Sequence, residues 1–431
     1  MIDPVVRGFS GSDQPSASAY DACIRCGLCL PSCPTYLETL TETSGPRGRI
    51  SLIKAVGESR LDLLSPGFVQ QMSQCLDCRA CEAACPSGVP YGHLLENARA
   101  QIRRAEAAEN PGASNAARAF AYALLERPAL MRVAGALLRF AQFTQLISLA
   151  RLFGLQREAA LAPRARGAYF AAPRRRRNAP DARGIAALHV GCIMPVAFGD
   201  VHRATVRMLL RARLSVVAPE GQGCCGALAL HAGDPEIARD LARRNVAAFE
   251  ASGADVCVVN AAGCGSMLKE YAALLGDDPD WAARAQRFSS RVRDVTEVLD
   301  AGDLPAPTYP VDAVATYQEP CHLVHAQRVS RAPRRLLAGI PGLRLVEMNE
   351  SALCCGSAGI YNLTEPEMAE RLLQRKLRAI GETGASIVAT ANPGCDVNLS
   401  AGLRKAGSPA RVRHVVELLD EAYGGAATEP E

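Results

Sequence analysis

What this 431-residue chain lacks narrows its class before any motif is read. No stretch supplies the roughly 18 uninterrupted apolar residues of a membrane-spanning helix, so any membrane role is expected to be peripheral. The opening MIDPVVRGFSGSDQPSASAY has no apolar run of the secretory kind. The expected compartment is therefore the reducing cytoplasm, extending to the cytoplasmic face of the inner membrane if the chain binds there peripherally. A formal charge of +4 is small for this length and suggests no nucleic-acid partner. No dinucleotide fingerprint of the G-x-G-x-x-G kind is read as opening a helix, so a flavin or nicotinamide is expected on another chain.

Cysteine, by contrast, is abundant: 17 residues, an odd number, clustered at short regular spacings. Both features disfavour a complete disulfide framework and favour metal ligands. CIRCGLCLPSCP (Cys23 to Pro34) and CLDCRACEAACP (Cys75 to Pro86) both read C-x-x-C-x-x-C-x-x-x-C-P. This is the run of bacterial two-cluster ferredoxins, in which the fourth cysteine of each string ligates the other cluster. On that rule Cys23, Cys26, Cys29 and Cys85 hold one 4Fe-4S cluster, and Cys33, Cys75, Cys78 and Cys81 hold the other. Three thiolates at steps of three reach the corners of one cubane from a single tight loop, while the fourth lies a helical turn further on. A zinc ribbon would use two separated C-x-x-C pairs, which the third step and the C-P ending do not suit.

Clusters bridged in this way lie on the order of 10 Å apart by chain reach. They form a wire and not a catalytic pocket, and no catalytic residue is assigned. Between the strings, GPRGRISLIKAV places a turn at Gly45 and Gly48, and Ile50, Leu52, Ile53 and Val56 begin an apolar helical stripe. Arg47 and Arg49 either offset anionic clusters, engage a partner or form a solvated cap.

From about Tyr91 to Leu155 the pattern is helical. Arg132 and Arg139 stand seven residues apart on one face, with Leu, Phe and Ile on the others. Such a helix suits a membrane interface or a partner subunit, but an ordinary core-facing helix is the plainer expectation. Pro163 to Gly184 is rich in Arg, Ala and Pro and reads as a linker. Its run Arg174 to Arg177 is either solvated charge or a contact for anionic lipid or an acidic partner surface.

The C-terminal half says the same thing twice. Cys192, the pair Cys224 and Cys225, and Cys264 recur as Cys321, the pair Cys354 and Cys355, and Cys395, at offsets of 129 (192 to 321), 130 (224 to 354) and 131 (264 to 395). So constant an offset marks a duplicated domain. Each copy alternates β-branched runs such as DVCVVN and SIVATAN with helical stretches such as PEIARDLARRNVAAFEASG and EPEMAERLLQRKLRAIGETG. That alternation implies parallel sheets with helices packed against them, the marked cysteines falling at the C-terminal ends of strands. Four thiols are expected to converge in each copy, as ligands of a metal or further cluster, as a redox-active thiol pair, or as small buried residues. Cys257 reads as core. His322 and His325 flank Cys321 and are candidates to ligate, relay a proton or bind a quinone, whereas His189, His202 and His231 read as structural.

CIRCGLCLPSCPTY, GPRGRISLIK, CLDCRACEAACPSGVPY, GCCGAL, GCGSMLKEY, CHLVHAQ, LCCGSAGIYNLT and ANPGC, in this order, resemble the glycolate oxidase (glycolate dehydrogenase) iron–sulfur subunits over nearly the whole chain. These belong to the wider family of cysteine-rich CCG-domain proteins. The resemblance implies a multi-subunit oxidoreductase in which flavin-containing dehydrogenase subunits oxidise glycolate to glyoxylate and this chain passes electrons toward membrane quinone. Alternatives are the corresponding subunit for another 2-hydroxy acid, lactate above all, or a heterodisulfide-reductase-like thiol–disulfide protein. One departure is that CGSM and CDVN put Met267 and Asn398 where some relatives close the motif with a second cysteine. The expected class is α+β and α/β, with a ferredoxin-type domain over 1–100, a helical segment and basic linker over 101–184, and CCG copies over 185–305 and 306–425.

Overall fold

The computed structural model describes residues 6–110, 127–146, 154, 159, 161–164, 168–173, 175–302 and 304–425. The expected helix at 111–126 and 147–153, and Arg174 of the basic run, lie outside them. The chain divides into two compact units, one of Met1–Phe120, Ala227–Ala238 and Leu353–Gln374, the other of Ala121–Gly226, Arg239–Ala352 and Arg375–Glu431.

The first unit is helical. Proline opens the helices Pro34–Thr39, Pro46–Gly57 and Pro66–Ser73, where its missing N–H costs nothing and its fixed φ suits the first turn. Helix Tyr91–Glu109 lays Leu94, Leu95, Ala98 and Ile102 against Ile53, Val56, Phe68 and Met72. Each large apolar side chain buried there contributes roughly 1.5–3 kcal/mol. The expected stripe on Pro46–Gly57 is thus a core face through Ile50, Ile53 and Val56. Gly48 in it is obligatory, since a Cβ would stand 2.1 Å from the Glu42 carbonyl oxygen.

Two four-stranded, all-parallel sheets organise the second unit. The first comprises β1 (Gly184–Leu188), β2 (Leu214–Val217), β3 (Val256–Val259) and β4 (Val292–Asp294), in the order β2-β1-β3-β4. The second repeats it with β5 (Ala313–Tyr317), β6 (Leu343–Val346), β7 (Ile387–Thr390) and β8 (Arg411–His414), in the order β6-β5-β7-β8. Such strands are covered on both faces and therefore read as continuous apolar runs. The register repeats too: Ala186 pairs with Val256 in one sheet and Ala315 with Ile387 in the other.

In both copies the chain leaves the central strand toward one side and returns on the other, making a switch point at the strands' C-terminal ends. Cys192 and Cys321 each follow β1 or β5 by four residues, and Cys264 and Cys395 each follow β3 or β7 by five. The two repeats meet at these turns. Ala262 N–H donates to the Ala391 carbonyl at 3.0 Å, and Gly263 N–H to Asn392 Oδ1 at 3.1 Å.

Helix Pro128–Phe143 only half matches the core-facing expectation. Its Met131 is buried, its Arg139 donates to the Val196 carbonyl at 2.7 Å, and Gly135 passes so close that a Cβ would lie 2.5 Å from Val196. Leu130, Val133, Leu137 and Phe140 form a stripe on its other side and are exposed.

Candidate metal centres

The two cysteine strings share one backbone device. Arg25 and Gly27 in the first, and Asp77 and Arg79 in the second, flank the second cysteine with left-handed φ values of 59°, 84°, 51° and 61°. These residues curl each loop so that successive thiols face one hollow. Only glycine adopts that region freely, so Asp77 and Arg79 need outside support.

Two hollows gather the thiols of these strings, and each takes cysteines from both of them. One cavity is lined by Cys23, Cys26, Cys29, Cys81 and Cys85, and the other by Cys33, Cys75, Cys78 and Cys81, so that Cys81 faces both. Pro46, Cys81 and Tyr91 wall both, so the cavities adjoin. In the second all four cysteines are buried, whereas in the first Cys26 is exposed, beside exposed Ile24 and Leu28. We call them the inner and the outer cavity.

The donors fit a cubane better than a lone ion. Tetrahedral zinc with bonds of about 2.3 Å holds its sulfurs about 3.8 Å apart, yet no three cysteine sulfurs lie mutually within 4.8 Å among the described residues. Burial pushes the Cys81 thiol well up, and Cys78, Cys75 and Cys33 push it the same way. Four thiolates therefore gather there only around a cationic core. Asp77 N–H and Tyr91 O–H both point at Cys75 Sγ, at 3.5 and 3.4 Å.

Around the inner cavity stands a buried charge network that the sequence did not reveal. Arg79, 4 % exposed, pairs with Asp77 at 3.0 Å, Glu96 at 2.9 Å and Glu82 at 3.4 Å. His231 Nδ1 lies 3.0 Å from Asp77 and 3.1 Å from Glu96. Burial alone would raise the Asp77 carboxyl, but Arg79 and His231 more than offset it and hold it well below the ordinary carboxylate range. Burial likewise opposes the charge on His231, but hydrogen bonds to Asp77 and Glu96 overcome it and raise the ring to about 10. Arg99 adds hydrogen bonds to the Met72 and Cys75 carbonyls at 2.8 and 2.5 Å.

Helix Tyr91–Glu109 admits this network through Gly92, where a Cβ would stand 1.8 Å from the Arg79 guanidinium carbon. Gly92→Ala is expected to displace Arg79 and cost about 2 kcal/mol, the scale of core overpacking, read as a lower anaerobic unfolding midpoint. An unchanged midpoint would refute the packing.

Arg47 and Arg49, alike in sequence, separate in space. Arg47 is partly exposed and bidentate to Glu42, at 2.6 and 2.9 Å. Arg49 is 1 % exposed and lines the inner cavity, donating to the Gln71 carbonyl at 2.7 Å and Thr35 Oγ1 at 3.0 Å. Burial works against its charge, while the Cys75, Tyr91 and Cys33 side chains favour it and the net direction is up.

In the first CCG copy the four thiols do converge. Side-chain hydrogen bonds link Cys192 with Cys224, Cys224 with Cys225, Cys225 with Cys264, and Cys264 with His189. The hydrogen bond with Cys225 pulls the Cys264 thiol down to about 6, with His189 pulling the same way, and those with Cys192 and Cys225 lower Cys224. Asn245 and Tyr271 fix the pair by bonding the Cys224 and Cys225 carbonyls at 2.9 and 2.8 Å. In the second copy Cys354 and Cys355 belong to the first compact unit and Cys321 and Cys395 to the second. Met267 and Asn398 are both buried.

Cys257 is core, as expected. His202 is structural, its ring between the Val190 carbonyl at 3.0 Å and Asn260 Nδ2 at 3.1 Å. His231 is structural as well, within the charge network, while His189 faces Cys264. His325 Nε2 meets the Ala352 carbonyl at 3.1 Å, and His322 opens a five-residue π-helical turn, His322–Ala326. The reading that no G-x-G-x-x-G precedes a helix needs correction, because Gly221, Gly223 and Gly226 have this spacing before the five-residue helix Ala227–His231. Its variable positions are the buried Cys224 and Cys225, so the run serves the thiol cluster and is no phosphate cradle.

Comparison with known proteins gives two family models, a 4Fe-4S dicluster domain over residues 19–89 and a cysteine-rich domain (CCG) over 186–269 and 315–400. The chain is 38% identical to the "Probable glycolate oxidase iron-sulfur subunit" of Bacillus subtilis (strain 168), over 93% of this chain and 94% of that one. It is 32% identical to the "Glycolate oxidase iron-sulfur subunit" of Escherichia coli (strain K12), over 93% of both. "Lactate utilization protein A" of an Exiguobacterium strain is 31% identical over 54% of this chain and 96% of its own length.

Proposed function

The chain belongs to the family of glycolate oxidase iron–sulfur subunits, and from that premise we propose that it is the electron-transfer subunit of a 2-hydroxy-acid dehydrogenase acting on glycolate, set between flavin-containing subunits and a quinone. The observation that carries this reading is that eight cysteines line two adjoining cavities, Cys85 of the second string joining Cys23, Cys26 and Cys29 at one, Cys33 of the first joining Cys75 and Cys78 at the other, and Cys81 lining both. Two 4Fe-4S clusters, when bound, supply one-electron acceptance and release over potentials of about −700 to +450 mV, wide enough to lie between a flavin and a quinone.

The protein's own residues do the rest. Cys23, Cys26, Cys29 and Cys85 hold the outer group, and Cys33, Cys75, Cys78 and Cys81 the inner one. Tyr91 and the Asp77 backbone donate toward Cys75, spreading its negative charge. The exposed Cys26, flanked by Ile24 and Leu28, gives the outer site an edge that a redox partner can approach, while burial keeps water from the inner one. The CCG thiols are further ligand candidates, Cys192, Cys224, Cys225 and Cys264 by their convergence, and Cys321, Cys354, Cys355 and Cys395 by the repeat.

Purified without oxygen, the protein is expected to carry about eight irons in the N-terminal strings, any excess belonging to the CCG copies, and to co-purify with a flavoprotein. Zinc in place of iron, or a strain lacking the protein that still oxidises glycolate, would overturn the assignment. The similarity to a lactate utilization protein favours lactate as the second substrate reading. Loss of growth on lactate but not on glycolate in the same strain would select it.

A further inference from the structure

The inner cavity contains a buried positive charge that no carboxylate answers among the described residues. Around the cavity, Asp77, Glu82 and Glu96 face Arg79 and His231, with Arg99 close enough to Asp77 to lower it further. Those charges are accounted for among themselves. Arg49 stands apart, because among the described residues its donors reach only a carbonyl and a hydroxyl, and its Nη2, with no hydrogen-bond partner, is sealed from solvent.

A bare guanidinium in a low-dielectric interior costs several kcal/mol unless an anion balances it. Here the groups that can answer it are the Cys33 and Cys75 sulfurs of the same cavity, which are anionic when they ligate a cluster. Among the described residues the outer cavity is lined by no buried arginine. Of its two arginines, Arg25 is exposed, and Arg47 is partly exposed and already neutralised by Glu42.

We infer that Arg49 sets the reduction potential of the inner site above the value its burial alone would give, and so directs electrons from the outer site to the inner one. This rests on the electron-transfer reading above. A cubane held by four thiolates carries net negative charge and becomes more negative on reduction. A cation fixed within the same dry cavity stabilises the reduced form more than the oxidised one, and net charge and solvent exposure are what set such potentials. Thr35 and the Gln71 carbonyl hold the guanidinium in place, and helix Pro46–Gly57 carries it.

The test is an EPR-monitored redox titration of the anaerobically purified complex, comparing the native protein with Arg49→Met and Arg49→Lys, with iron measured on each. Arg49→Met is expected to shift the oxidised-to-reduced ratio of the inner signal at least tenfold toward oxidised, which is 59 mV for one electron, leaving the outer signal in place. Arg49→Lys, which keeps the charge, is expected to stay within about threefold of native, a smaller shift than that tenfold step. If Arg49→Met fails to hold iron while Arg49→Lys holds it at a near-native potential, the charge is still what matters and the inference stands. An unmoved inner potential in Arg49→Met, equal shifts of both signals, a tenfold shift in Arg49→Lys, or loss of iron from both variants would overturn it. Native protein without reducible iron would instead overturn the electron-transfer reading.

Discussion

Cys85→Ser is expected to abolish the outer cluster while leaving the inner one, although Cys85 sits in the same string as three inner ligands. Cys33→Ser should do the reverse. In each case about four of eight irons leave, and one of two EPR signals disappears with them. The expectation follows from the cavities, where Cys85 lines the outer hollow with Cys23, Cys26 and Cys29, and Cys33 the inner one with Cys75, Cys78 and Cys81. If each string held its own cluster, Cys85→Ser would remove the signal that Cys78→Ser removes. Matching losses in those two variants would therefore reject crossed ligation.

His231→Gln is expected to lower stability by about 3 kcal/mol near neutral pH, the cost of breaking one side of a buried ion network. The ring stands against Asp77 and Glu96, which also face Arg79, with Glu82 beyond it. Because the folded protein raises this histidine from 6.5 to about 10, its contribution is complete below about pH 6.5 and fades as pH climbs through 10. Urea midpoints of the two proteins, measured anaerobically, should therefore differ most near pH 6 to 7 and converge above pH 10. A gap that does not narrow on the alkaline side would mean that His231 is held there by shape alone.

How much of this was legible beforehand depends on whether the signal is local. Ligand spacing is local, and the two strings single out eight cysteines that the structure gathers around two adjoining hollows. The duplication is nearly so, since offsets of 129, 130 and 131 can be counted along the chain and the paired sheets follow from alternating apolar runs. The charge network is not local. Asp77 and His231 are 154 positions apart, and only tertiary packing brings them to 3.0 Å. Arg47 and Arg49 show the same limit over two residues. Both lie on one short helix, but adjacent faces of that helix meet solvent and core respectively, and the GPRGR string does not say which is which.

His231 follows Cys224 by seven residues, and Tyr361 follows Cys354 by seven. Both lie in the segments that join the N-terminal unit, Tyr361 donating to the Gln74 carbonyl at 2.9 Å, one residue before the second string begins. The consequence lies in the timing of synthesis. A ribosome releases both cysteine strings long before it has made residues 353–374, so the nascent N-terminal region waits, incompletely walled, for two later insertions of chain. Iron loading that lasts is thus a finishing step for the whole polypeptide, and an N-terminal fragment ending at the linker should take up metal poorly however intact its ligands.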